Sequence, residues 1–274
     1  MSQVWFITGS SVGLGRAIVE AALTAGHRVV ATARSEAALA DLATQHPEQL
    51  LVTSLNVASE SAWSAAIDTA MGRFGRIDVL VNNAGYGGLG SAEDIPMSLV
   101  RDQFETNFFG AVLAARAVIP AMRAQGGGRI LLISSIGSRI ATAGTSAYYA
   151  SKAAVSAFAE SLALEVGPLG IKVTAIEPGA MRTRFAEAGS MKIAPFDHAY
   201  DATVGATVAM LRTPEYQAAL RDPAGHAAVV LAAADLDDPP TRLLAGADSY
   251  DYGAAALTAR AEADQHWSAL SRIA

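Results

Sequence analysis

The chain has no cysteine, and that absence alone excludes disulfides, thiolate metal sites and cysteine nucleophiles. Charge is also sparse. Only 17% of the 274 residues are Asp, Glu, Lys or Arg, and the formal net charge is −6. Sparse charge argues against a disordered or heavily solvated chain. An acidic balance without a Lys/Arg run offers no surface for nucleic acid or anionic membrane. The five histidines (His27, His46, His198, His226 and His266) form no HxxxH or HExxH pattern, so no metal site is expected. Long apolar runs are missing too: "AAVVLAAA" (227–234) is far too short to span a bilayer. The opening "MSQVWFITG" lacks the basic region and apolar core of a signal peptide. These absences lead to the expectation of a cytoplasmic protein with neither nucleic-acid nor membrane partners.

What the chain does have is apolar residues, 51% of the total, arranged in a repeating rhythm. Strand-like runs at 4–8, 28–33, 50–55, 77–82, 129–134 and 172–177 alternate with helical patterns at 14–25, 35–45, 59–73, 97–124 and 147–167. Strands apolar on both faces, each followed by a helix, predict a doubly wound parallel sheet with helices on both faces, an α/β fold of Rossmann type. No linker or repeat divides the chain, so residues 1–274 are expected to form one domain. Near 184–225 the strand rhythm stops, which predicts an insertion shaped as a substrate lid. A last strand near 241–245 and a terminal helix at about 249–270 follow.

Directly after the first strand comes "TGSSVGLG", placing Gly9, Gly13 and Gly15 in a strand-to-helix turn. Glycine suits a turn that needs positive φ, and the lack of Cβ lets backbone amides approach a pyrophosphate at the positive end of a helix. The second strand ends "ATARSE", with Ala33 where an acid would bind ribose hydroxyls and Arg34 beside it. A guanidinium can clamp a 2′-phosphate with two hydrogen bonds, so NADP is preferred, with NAD possible. Glu36 weakens that positive field. Further along, "YYASK" puts Tyr148 and Lys152 four residues apart, on one helical face, while Tyr149 is rotated by about 100°. An ammonium beside Tyr148, together with a cationic nicotinamide, is expected to lower its pKa from about 10. Tyr149 either lines a pocket or packs.

With these motifs in order, the chain resembles the short-chain dehydrogenase/reductase family in its smaller, single-domain form. The resemblance rests on "TGSSVGLG", "NNAG" (82–85), Asn107 in "TNFFG", Ser135 in "ISSIG", "YYASK" and "PGAMRT" (178–183). It implies a nicotinamide cofactor and hydride transfer between that cofactor and a carbonyl/alcohol pair. By the resemblance, Asn107, Ser135, Tyr148 and Lys152 form the catalytic tetrad. Ser135 is preferred to Ser134 because it lies thirteen residues before Tyr148 and faces away from its neighbour on a strand. Tyr148 is the implied acid/base and Ser135 the carbonyl partner. Lys152 is expected to hold the nicotinamide ribose and pass protons through a water positioned by Asn107. Gly9, Ser11, Gly13, Leu14, Gly15, Arg34, Asn56, Val57, Asn83, Tyr148 and Lys152 are expected to contact the cofactor. Gly179, Met181 and Thr183 would hold its carboxamide end. Asn56-Val57 departs from the usual Asp-Val, so the adenine contact loses charge.

Tyr86, Ile136, Tyr149 and Phe185 are expected near the substrate, whose pocket is apolar enough to suggest a hydrophobic carbonyl compound or alcohol. The family also implies a homodimer or homotetramer pairing the long helices. Two other readings stay open: a cofactor-sensing regulator without catalysis, and an epimerase-like enzyme, although epimerases carry a larger C-terminal domain.

Overall fold

The structure, a computed structural model, describes residues 2–182 and 191–273. Seven parallel strands form its central sheet: β1 (Val4–Ile7), β2 (Arg28–Ala33), β3 (Leu50–Ser54), β4 (Val79–Asn82), β6 (Gly128–Ile133), β7 (Ile171–Pro178) and β9 (Arg242–Ala245). Their order is β3-β2-β1-β4-β6-β7-β9. The chain winds outward from β1 in one direction and then from β4 in the other. Between β1 and β4 lies the topological switch point, where open α/β sheets bind ligands at the carboxyl ends of their strands.

Alternation along each strand divides the core in two. Val4 and Phe6 of β1, Leu80 of β4 and Ile130 and Leu132 of β6 face the layer formed by α3 (Glu60–Phe74), α5 (Gly110–Ala124) and α6 (Ser146–Val166). Trp5, Ile7, Val79, Val81, Leu131 and Ile133 face the opposite layer, formed by α1 (Gly13–Thr24), α2 (Ala40–Gln45) and α9 (Pro223–Asp235). The Ala-rich faces of α5 and α6 are used here: Ala111, Ala114, Ala115, Val118, Val155 and Ala159 are buried in the first layer.

The strands and their connecting helices lie where the periodicity put them, with three differences. The helix expected over 97–124 is divided into α4 (Met97–Phe104) and α5 by a π-helical turn, Glu105–Phe109. Such turns re-aim side chains inside a helix, and this one buries Asn107. Second, residues 191–225 are more regular than expected. β8 (Met191–Ile193) pairs in parallel with β5 (Gly87–Leu89), and short helices α7 (Ala206–Leu211) and α8 (Pro214–Ala219) follow. Three-residue strands such as "GGL" and "MKI" carry no readable alternation.

Third, α9 was not anticipated, because "AAVVLAAA" is apolar all round and has no amphipathic period. Its start did carry a signal: Asp222 caps the helix by accepting from Ala224 N at 2.8 Å, and Pro223 follows. The terminal helix, α10 (Ala247–His266), begins two residues early and continues into a short turn, α11 (Ser268–Ser271). Among the described residues, no helix is long and apolar enough to cross a membrane.

Candidate active site

The loop after β1 is built from backbone and held by a side chain from β4's end. Gly9 and Gly13 adopt φ of 65° and 60°. A Cβ on Gly15 would stand 2.2 Å from the Gly9 carbonyl oxygen and 2.5 Å from Asn83 Nδ2. Asn83 Nδ2 donates to Thr8 O and Gly9 O at 3.0 and 3.1 Å. Thr8 Oγ1 in turn accepts from the amides of Asn83 and Ala84 at 2.9 and 3.0 Å. Asn83 therefore braces the loop. Val12 begins α1 in an extended conformation with no side-chain cap, leaving the positive helix end for an anion. Leu14 is buried in the second layer and Ser11 is half-buried.

At the end of β2, Arg34 is exposed, and among the described residues no group hydrogen-bonds its guanidinium. Glu36 is turned away, its Oε1 accepting from Ser54 N at 2.9 Å. Asn56 is exposed and accepts from Ala58 N at 3.2 Å, while buried Val57 presents its carbonyl to Trp63 Nε1 at 3.0 Å. A glycine cradle with no room for Cβ and an uncapped helix start together fit the pyrophosphate of a dinucleotide.

The tetrad converges at the carboxyl ends of β4 and β6. Asn107 is 1% exposed. Its Oδ1 accepts from Tyr86 N at 3.0 Å, and its Nδ2 donates to Tyr86 O and Ser151 Oγ, each at 3.0 Å. It thus ties the turn after β4 to α6. Lys152, 5% exposed, donates from Nζ to Ile133 O at 2.8 Å. The same Nζ lies beside Gly85, 3.3 Å from where a Cβ would stand, with Asn107 Oδ1 at 3.0 Å from that point. Ser135 accepts from Gly137 N at 3.0 Å, and its hydroxyl draws the pKa of the Tyr148 phenol down. Ser134 faces the other way, donating to Lys152 O at 2.8 Å and paired with Ser156 Oγ at the same distance.

The protein's own groups act on Tyr148 in the upward direction, whereas the expected lowering includes a cationic nicotinamide. Burial pushes the phenol up to about 12, its Ser135 hydrogen bond pulls it back in part, and neighbouring Tyr149 raises it. Burial also pushes the Lys152 ammonium down to about 8. The physical reason is that desolvation acts against both charged forms, and Lys152 directs its ammonium to the Ile133 carbonyl. Tyr148 keeps part of its surface open although its phenol is enclosed by protein.

Tyr149 packs. Its ring lies so flat on the turn after Ser135 that a Cβ on Gly137 would stand 2.2 Å from two ring carbons. Its hydroxyl lies 3.4 Å from Thr142 Oγ1, and its ring centroid is 5.7 Å from that of Tyr148. Ile136 reaches the start of α10, its Cδ1 beside Gly253. Tyr86 lies under Lys192, whose Nζ is 4.8 Å from the ring centroid. Met181 forms an isolated bridge with Arg221. Thr183 and Phe185 lie outside the described residues.

Beneath the tetrad is a buried charge cluster with no sequence signature. Glu177, 0% exposed, accepts from Ser138 Oγ and Ser156 Oγ at 2.8 and 2.9 Å and pairs with Arg139 and Arg242 at 2.5 and 2.6 Å. Asp248 and Ser249 were missed as well. Their partners, Ala180 and Glu177, lie about seventy residues earlier, beyond any local motif.

Comparison with known proteins agrees with this architecture. The family model for short chain dehydrogenase matches residues 3–193. An oxidoreductase of Botryotinia fuckeliana, BOA17, is 40% identical over 99% of this chain and 98% of its own. A Mycobacterium bovis 3-alpha-(or 20-beta)-hydroxysteroid dehydrogenase is 35% identical over 67% of this chain and 70% of its own. A crystal structure of a short-chain dehydrogenase from Streptomyces avermitilis superposes with a TM-score of 0.91 at 39% identity, covering 99% of this chain and 98% of that one.

Proposed function

The chain belongs to the short-chain dehydrogenase/reductase family of oxidoreductases, and from that premise we propose that it reduces a ketone or aldehyde with NADPH, or oxidises the matching alcohol with NADP. The observation that carries the reading is the convergence of Ser135, at the carboxyl end of β6, with Tyr148 and a buried Lys152 on α6. A substrate carbonyl accepts from both hydroxyls, so charge developing on its oxygen is stabilised. Tyr148 then gives its proton to that oxygen. With its phenol pushed up to about 12, Tyr148 carries that proton across the neutral range. Lys152 restores it, with Asn107 holding the surrounding elements in place.

A reduced nicotinamide, when bound, supplies the hydride. Gly9, Ser11, Gly13, Leu14 and Gly15 would hold its pyrophosphate, Arg34 a 2′-phosphate, Asn56 and Val57 the adenine, and Lys152 the nicotinamide ribose. Gly179 and Met181, with Thr183, would hold the carboxamide. Tyr86 would border the substrate, and residues 191–225, the described part of the expected insertion, would cover it. The steroid dehydrogenase relative supports a hydrophobic substrate, so steroids belong in the screen beside simple ketones and aldehydes.

The test follows nicotinamide absorbance over such a panel with both cofactors. Tyr148→Phe is expected to bind NADPH as wild type does and to lose about 10²–10⁴-fold in turnover; full activity in that variant overturns the mechanism. Arg34→Asp is expected to shift the kcat/KM ratio towards NADH, and an unchanged ratio removes Arg34 from the phosphate role.

A further inference from the structure

The segment leaving β7 is held from two directions by residues distant in the chain. Ala180 N donates to Asp248 Oδ2 at 2.8 Å. Ala180 O accepts from Arg221 N at 3.2 Å, and Arg182 N donates to Arg221 O at 2.7 Å. The Asp248 carboxylate presses on Gly179 so closely that a Cβ there would stand 2.2 Å from Oδ2. Ser249 Oγ donates to Glu177 O at 2.7 Å. The first turn of α10 therefore grips the chain from Glu177 to Ala180.

The second carboxylate oxygen is the anomaly. Among the described residues, Asp248 Oδ1 is buried without a hydrogen-bond partner, and so is His226 Nε2, on a side chain only 4% exposed. Buried polar atoms without partners are uncommon in folded proteins. These two converge on Gly246, where a Cβ would stand 2.8 Å from Oδ1 and 3.1 Å from Nε2. The φ of 106° at Gly246 suits glycine and keeps that space open.

We propose that Asp248 is a positioning residue for the nicotinamide end of the cofactor, and that His226 is its buried partner across Gly246. Together they set the Gly179–Met181 backbone at the position where it holds the carboxamide. This inference rests on the reading that this backbone is the carboxamide's seat.

Amide hydrogen exchange, NADPH binding by fluorescence and steady-state kinetics on the full chain test it. Asp248→Ala is expected to speed exchange at the Ala180 amide about tenfold, without loss of protection in β1, β4 or β6. It is also expected to lower kcat about tenfold while the NADPH Kd changes less than about threefold, because the phosphate cradle is untouched. Asp248→Asn is expected to restore both readouts, since its amide oxygen still accepts from Ala180 N. His226→Phe is expected to give a smaller change in the same direction.

Wild-type exchange at Ala180 together with wild-type kcat in Asp248→Ala overturns the proposal. So does an Asn variant no better than Ala, or protection lost across the whole sheet. A wild-type protein that binds neither NADPH nor NADH overturns the functional reading and this inference with it. Wild-type binding and turnover combined with an indifferent Asp248→Ala overturns only the inference.

Discussion

The two ends of the proposed cofactor crevice are built in opposite ways. At the phosphate end, eight consecutive residues from Thr8 to Gly15 supply the turn, and one side chain from "NNAG", Asn83, locks it. At the carboxamide end, Ala180 is fixed by Arg221 and Asp248, residues from a loop before α9 and from the first turn of α10. The first wall needs little more than its own sequence, because backbone amides and missing Cβ atoms are local properties. The second exists only once the sheet has brought β7, α9 and α10 together. A wall made of local backbone should fail by steric crowding, and a wall made of distant side chains by unpaired charge.

The largest expected effect lies on the long-range side. Glu177→Ala would leave Arg139 and Arg242 facing each other without their buried carboxylate. A loss of about 3–5 kcal/mol is expected in denaturant unfolding; a loss under 1 kcal/mol would mean water replaces the carboxylate and the charge cluster is dispensable.

Next comes Lys152, at the floor between the two walls. Its pKa is pushed down to about 8 by burial, below its unfolded value, so between these two values the unfolded chain binds more protons. Wild-type stability should therefore rise with pH relative to Lys152→Met, by on the order of 3 kcal/mol from about pH 8 to 10.5. Parallel stability curves for the two proteins would show that Lys152 is not desolvated.

Crowding the phosphate cradle should cost less. Gly15→Ala puts a Cβ against the Gly9 carbonyl and Asn83, and overpacking of about 1–3 kcal/mol is expected to appear as weaker NADPH binding. Unchanged binding would show that this wall yields more easily than its geometry implies. Smallest is Ser59→Ala, which removes the cap on α3 supplied to Ala62 N at 3.3 Å. About 1 kcal/mol of stability should be lost, with cofactor binding intact.

The same contrast explains what could be read in advance. Alternation between strand and helix was legible because strands buried on both faces are uniformly apolar, and the motifs around Gly13, Asn83, Ser135, Tyr148 and Lys152 were legible because each is a short local pattern. Helical phase also separated the tyrosines, and the fold seats Tyr149 flat on Gly137. The π turn that buries Asn107 was not legible, since it differs from a straight helix only in hydrogen-bond register. Helix α9 was hidden because its exposed face is built from Ala224, Ala228 and Ala232, so no polar stripe marks it. The upward push of burial on Tyr148 was not legible, because spacing shows which charges are near but not how much water is lost.

By itself, then, the sequence determined the parallel sheet, the glycine cradle and the placing of Tyr148 and Lys152 one turn apart on α6, all of which follow from periodicity or from residues a few positions apart. Tertiary structure alone decided the burial that raises one phenol and lowers one ammonium, the Glu177 cluster, and the grip of Asp248 on Ala180. Each of these depends on solvent exclusion, or on contacts between segments whose separation in the chain carries no information about their separation in space.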